Sequence, residues 1–215
     1  MLHRSSHSGV PCASATDVAC DGRAASTEPA SVREWIAADL EAWRRAGMAG
    51  SGRWAALGAL WSHCGARATL LYRVSNLLHR RGVRVLPQVL SRLNLTLYGL
   101  DIPPSVPIGP GLYVPHPVGT VVMADRIGAN VTLVSGVTIG VRKGAQFPRI
   151  GDNVYVGAGA RVLGGIEVGS NVSIGANAVV IEDVPTGAVA VGVPAQVRFP
   201  AASVLLRDQH AEHAR

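Results

Sequence analysis

Aromatic residues are scarce in this chain, and it has no long apolar run. Only 5% of the 215 residues are Phe, Trp or Tyr, whereas 25 are glycine. This composition excludes a core built mainly on aromatic rings and favours tightly turning, closely stacked backbone. No run approaches the ~18–20 apolar residues that a membrane-spanning helix needs. The sequence therefore predicts no transmembrane helix.

Cysteine is also rare. Cys12, Cys20 and Cys64 are an odd count at scattered positions, with neither a Cys-x-x-Cys pair nor the Cys/His spacing of zinc ligands. The sequence thus predicts no disulfide framework and no metal site, and it fits a reducing cytoplasm. Residues 1–30 lack the apolar segment of a secretory signal peptide. Their Ala/Ser-rich composition indicates a disordered tail.

Positive charge is concentrated in the first half of the chain. The net charge is +6, and residues 31–100 contain ten arginines against three acids, Glu34, Asp39 and Glu41. Such a surface is either an ordinary solvated helix face or a face that meets an anionic partner. We expect the solvated face and no nucleic-acid partner. Peripheral association with a membrane stays open as the alternative.

Residues 31–100 have helical periodicity. Ser31 and Glu34 match a capping box at the start of a helix. A second helical stretch covers residues 54–81 and is predicted to be interrupted near Gly65. A short helix follows in PQVLSRLNLTLYG. We expect these helices to cover one end of the domain that follows.

From residue 102 the periodicity changes to six. A period of six is neither the two of a strand nor the 3.6 of a helix. It is the signature of a β-helix of hexapeptide repeats, in which three hexads form one triangular coil and about four coils stack here. The predicted fold class is mainly β: helices at 31–100, a parallel β-helix at 101–187, and a C-terminal cap and tail at 188–215. Inward-pointing aliphatic residues are expected at Ile108, Val114, Ile127, Leu133, Ile139, Ile150, Val156, Val162, Val168, Ile174 and Val180.

Residues 102–198 resemble the serine acetyltransferase branch of the left-handed β-helix acyltransferases. The matching segments are IGPGLYVPHPVGTVV, IGANVTLVSGVTIG, RKGAQFPRIGDNVYVGAGARVLGGIEVG and IGANAVVIEDVPTGAVAVGVPAQV. The resemblance implies left-handed winding and acetyl-CoA as the acyl donor. It also implies a homotrimer with the site shared across a subunit interface, and no metal.

The family's catalytic histidine precedes its G-V-T-[LI]-G segment by one coil, and the resemblance assigns this role to His116. Of seven histidines, His116 alone lies within the repeat. Pro115 and Pro117 fix the backbone on either side of it. The resemblance implies that the imidazole acts as a general base, which takes the proton of an acceptor hydroxyl as that hydroxyl attacks the thioester.

Three further positions receive roles from the resemblance. The backbone N–H of Gly140 is a candidate donor to the tetrahedral oxyanion. Ala158 and Ala176 match small positions that line the acetyl-CoA groove in the family. A second interpretation of the two alanines stays open, since tight corners need small residues whatever they bind.

The acceptor end of the site departs from the family pattern. Pro115 replaces an Asp that helps orient the histidine, and Gln146 and Phe147 replace an Arg-His pair. Gln cannot form the charged bidentate contact that Arg makes with a carboxylate. These residues favour a saccharide or another alcohol as acceptor, while L-serine is the family's own substrate. A backbone carbonyl or Asp125 is a candidate for orienting His116.

Other functions remain as alternatives. A zinc enzyme on the same fold would need three histidine ligands, and the repeat contains one. A non-catalytic β-helix scaffold and an acyl-carrier-protein donor both stay open.

Overall fold

A computed structural model describes residues 32–50 and 54–199 of the chain. The predicted tail at residues 1–30, the Ser31 cap and residues 200–215 lie outside the described part.

Within the described residues, four helices precede the first strand, and two of their ends have a clear local cause. His63 is extended, with φ −120° and ψ 119°, and separates the second helix from the third. The sequence predicts one helical stretch here with an interruption near Gly65. Gly99 ends the last helix in the left-handed conformation, with φ +68°, which glycine adopts without steric cost. The helices are α1 Val32–Arg45, α2 Ala55–Ser62, α3 Cys64–Arg80 and α4 Leu86–Tyr98.

Thirteen short strands follow in the described residues. Strands of two or three residues are typical of a chain that turns a corner after every hexad. They are β1 Leu100–Asp101, β2 Thr120–Val122, β3 Arg126–Ile127, β4 Thr132–Leu133, β5 Thr138–Gly140, β6 Arg149–Ile150, β7 Tyr155–Val156, β8 Arg161–Leu163, β9 Glu167–Val168, β10 Ser173–Ile174, β11 Val179–Val180, β12 Val189–Val191 and β13 Gln196–Arg198.

The strands form the three faces of a triangular prism. Face A has the order β1-β2-β5-β8-β11, face B has β3-β6-β9, and face C has β4-β7-β10-β12 with β13 outermost. All pairs within the faces are parallel except β12 with β13. The chain runs from face A to face B to face C in each coil, which confirms the predicted β-helix.

The core is the set of aliphatic residues that the period of six predicts to point inward. All eleven are at most 3% exposed. On face B, Ile127 pairs with Ile108 and with Ile150, and Ile150 pairs with Val168. One coil alone cannot bury these side chains, so stacking supplies the stability.

Small residues and asparagine allow the coils to stack at the corners. A Cβ on Gly109 would lie 2.7 Å from the carbonyl carbon of Gly128 in the next coil. At the corner between faces B and C, Asn130, Asn153 and Asn171 have φ of 55° to 57°. Their side chains hydrogen-bond in a ladder with distances of 3.1 and 3.2 Å. Asn tolerates this left-handed conformation better than other residues with a Cβ.

A buried ion pair joins the helices to the first coil. Arg73 on α3 is fully buried and donates from Nε and Nη2 to the Asp39 carboxylate at 2.8 and 2.9 Å. The same guanidinium donates to the carbonyl of Ile108, while Asp39 accepts the backbone N–H groups of Gly111 and Leu112. Two helices and the first turn of the prism are therefore fixed to one another by one polar cluster.

The repeat extends slightly beyond residue 187. Val189 and Ala190 pair in parallel with Ser173 and Ile174, and Ala190 is fully buried in the core position. The small side chain of Ala190 weakens the hexad signal here, which is why the sequence predicts a cap from residue 188. The chain leaves the prism after β12, when Gln196–Arg198 turns back along it.

Candidate functional site

His116 lies exposed at the corner between faces C and A. The corner is held from within, because Val114 is fully buried in the core. The backbone N–H of His116 donates to the carbonyl of Val134 in the next coil at 3.3 Å. The imidazole is therefore carried by fixed backbone and remains accessible from outside the prism.

Three of the predicted site residues lie in one column along this corner. Tyr113 pairs with Thr132, Thr132 with Tyr155, and Tyr155 with Ser173. Residues three positions further on therefore stack as well, and they are His116, Ser135, Ala158 and Ala176. Neighbouring coils are about 4.8 Å apart, so the column extends about 14 Å from the imidazole.

Ser135 is the one member of this column that the sequence reasoning missed. It occupies the same hexad position as Ala158 and Ala176, and that equivalence was the signal that would have found it. All three side chains are small and at least partly exposed. The column can accommodate an extended, narrow molecule that ends near His116.

Gly140 and the acceptor loop, residues 141–148, lie at a different corner of the same protomer. Gly140 ends β5 on face A, and its carbonyl accepts the N–H of Gly164 at 2.9 Å. In the loop at residues 141–148, Gln146 is exposed and packs against Gly165, and Phe147 is half-buried. Face A thus separates this group from His116.

Asp125 lies at the corner that carries the acceptor loop. Its N–H donates to the carbonyl of Pro148 at 3.0 Å, and its carboxylate is 3.7 Å from Nε of Arg149. Asp125 is therefore paired at the far end of face A from His116. Within one protomer, it does not take the place of the family's Asp.

The helical cap, which consists of α1 to α4, contacts the segment that leads to His116. The Trp43 ring meets the ring of Tyr113 edge-on at 4.8 Å and stacks on His63 at 5.0 Å. His63 Nε2 is 2.9 Å from the carbonyl oxygen of Met48. Desolvation raises the pKa of the Tyr113 phenol.

Within the part of the chain that the structure describes, no group of three His, Cys, Asp or Glu side chains is placed to hold a metal ion. None of the helices in that part is long and apolar enough to cross a membrane.

Comparisons with known proteins agree with one another. Residues 147–182 match the family model described as bacterial transferase hexapeptide, six repeats. A serine acetyltransferase of Helicobacter pylori is 40% identical over 136 residues, which cover 61% of this chain and 80% of the relative. A soybean serine acetyltransferase complexed with serine superposes with a TM-score of 0.70 at 34% identity, covering 78% of this chain and 70% of that one. A serine acetyltransferase in complex with CoA gives a TM-score of 0.70 at 32% identity, with the same coverage.

Proposed function

Because this chain belongs to the serine acetyltransferase family, with its left-handed parallel β-helix, we propose that it is an acetyl-CoA-dependent O-acetyltransferase that acts on L-serine. The observation that carries the proposal is the position of His116. The imidazole is exposed at a prism corner, at the end of a column that contains Ala158 and Ala176.

The chemistry needs one base and one set of oxyanion donors. His116 takes the proton of the acceptor hydroxyl as its oxygen attacks the thioester carbonyl of acetyl-CoA. Backbone N–H groups, with Gly140 as the candidate donor, stabilise the tetrahedral oxyanion. When the C–S bond breaks, the imidazolium returns the proton to the CoA thiolate. The products are the O-acetyl ester and CoA, with His116 regenerated.

The column at the corner between faces C and A suits the pantetheine arm of the donor. The arm is extended and narrow, and the side chains of Ser135, Ala158 and Ala176 leave room for it along three coils. The solved relative in complex with CoA supports this cosubstrate. No metal takes part in the proposed mechanism.

A homotrimer would bring the two halves of the site together. In one protomer, face A separates His116 from Gly140, Gln146 and Phe147. In the proposed trimer, the loop at residues 141–148 of one copy would lie against the next copy. We propose the cytoplasm as the location, on the basis of the cysteine pattern, and keep peripheral membrane association as a prediction that vesicle flotation would test.

A saccharide or another alcohol is the second candidate acceptor. Gln146 and Phe147 have uncharged side chains, so neither supplies a charge for an amino-acid carboxylate. A sugar hydroxyl is uncharged and needs no such contact.

The assay that tests the function measures CoA release from acetyl-CoA with L-serine and, separately, with a panel of sugars. We expect saturable turnover with serine, and His116→Ala to lower kcat by ~10²–10⁴-fold, as loss of a general base does. His79→Ala, at an exposed position near the end of α3, is the matched control and should keep wild-type activity. Turnover with a sugar but not with serine would show that the acceptor is a saccharide and not L-serine. Full activity of His116→Ala would remove the proposed mechanism.

A further inference from the structure

The helical cap packs closely against the backbone just before His116. Gly65, in the first turn of α3, is buried against this segment. A Cβ built there would clash with the carbonyl oxygen of Val114, lie 3.0 Å from that of Pro115 and lie 3.1 Å from the Trp43 ring. The close approach, and not an unusual φ, requires glycine at this position.

Another helical glycine shows that this contact is specific. Gly58 in α2 has no atom within 4 Å of the position that a Cβ would occupy. Glycine weakens a helix relative to alanine at either position. Gly65 differs from Gly58 because a side chain there would push into the segment two residues before His116.

Trp43 forms a second contact with the same segment. It is 2% exposed and lies with its ring against Tyr113 and against the ring of His63. Tyr113 is bonded into the next coil, because its N–H donates to the carbonyl of Val131 and its carbonyl accepts the N–H of Leu133, both at 2.9 Å. The cap and the next coil therefore hold the chain from opposite sides just before the imidazole.

We infer that Gly65 and Trp43 are positioning residues that fix the direction of His116 through its backbone. A general-base histidine is commonly oriented by a carboxylate on its other ring nitrogen. Pro115, directly before His116, has no polar side chain that can do this. The orientation instead comes from the backbone. The cap packs against the Val114 and Pro115 carbonyls, and the N–H of His116 donates to the carbonyl of Val134 in the next coil. The inference rests on the proposed function, since it assigns His116 the role of base.

Gly65→Ala is the direct test, with Gly58→Ala as the matched control. The added methyl group at position 65 must displace the backbone next to His116, and a misplacement of about 1 Å can cost ~10²-fold in rate. We expect kcat to fall ~10–100-fold while the KM for acetyl-CoA stays near the wild-type value. Gly58→Ala should keep wild-type kcat. Circular dichroism of both variants checks that they fold.

Trp43→Phe provides a second variant that keeps an aromatic ring but shortens its reach to Tyr113. Imidazole resonances in ¹H–¹⁵N spectra, with those of His116 assigned by their loss in His116→Ala, report the ring's surroundings directly. We expect them to shift in Gly65→Ala and Trp43→Phe, and the pH profile of kcat/KM to change with them. Gly58→Ala should leave both unchanged. A purely structural role would lower stability without moving these signals.

The outcomes separate this inference from the proposed function. If His116→Ala remains fully active, the proposed role of His116 as general base is wrong, and the inference fails with it. If His116→Ala is inactive but the folded Gly65→Ala and Trp43→Phe variants keep wild-type kcat and unshifted His116 signals, the inference alone is wrong. If Gly65→Ala does not fold, the Trp43→Phe result decides in the same way.

Discussion

At the scale of single residues, the corner column depends on side-chain size. One hexad position contains His116 in the first coil and a small residue in each of the next three coils, namely Ser135, Ala158 and Ala176. A larger residue at this position would fill the space beside the corner without touching the aliphatic core. The column can therefore be blocked without unfolding the protein.

Ala176→Trp is expected to abolish CoA binding and leave the fold intact, because Ala176 is exposed and the indole would occupy the groove. Thermal unfolding with and without CoA measures this. A ligand at 100 times its Kd stabilises the native state by about 2.7 kcal/mol, and the variant should lose that gain. Glu167→Trp, at an exposed position on face B, is the control that should keep it. Undiminished stabilisation of Ala176→Trp would place CoA elsewhere.

Sequence reasoning could find His116 but not the residues that hold it. It is the one histidine within a periodic segment, so its unusual position was visible from the sequence. Gly65 was visible only as a break in a helical pattern. Its contact is with the backbone of Val114, nearly fifty residues away in sequence. No local sequence pattern predicts a contact between residues so far apart in the chain.

At the scale of elements, the period of six predicted the faces of the prism, and the helices were predicted only in outline. Val122 is fully buried and completes the first coil. The sequence reasoning did not assign it, because Val122 follows Val114 by eight residues instead of six, which shifts the phase. The helical pattern likewise could not show which residues join the cap to the prism. Asp39 and Arg73 are charged, and their burial depends on partners distant in sequence.

Arg73→Met is expected to lower the free energy of unfolding by ~3–5 kcal/mol, since it leaves the Asp39 carboxylate buried without its cation. Urea denaturation at matched protein concentration measures the loss. Arg44→Met is the control, because the pair of Arg44 with Glu41 is exposed and such pairs contribute ~0.2–1 kcal/mol. Equal effects of the two substitutions would mean that the buried cluster does not anchor the cap.

At the scale of the whole molecule, the proposed trimer would complete the site by bringing two copies together. His116 and the loop with Gln146 occupy different corners of one prism. Periodicity and motif spacing within one chain carry no information about contacts between copies. The trimer was therefore predicted from the family resemblance alone.

Light scattering coupled to size exclusion is expected to give three times the chain mass of 22.3 kDa. Mixing inactive His116→Ala with a second inactive variant, in which the loop at residues 141–148 is shortened, should restore part of the activity. Mixed trimers would then contain interfaces with one intact half from each parent. A fully active monomer would contradict the shared site.

The reversed direction of β13 has a consequence for growth of the prism. A stack of parallel coils is in principle endless, because each new coil offers the next one the same row of backbone groups. On face C, that row is occupied by a strand running the opposite way, which ends in the charged Arg198. Another molecule cannot continue the parallel ladder there, so this strand works against end-to-end polymerisation into filaments.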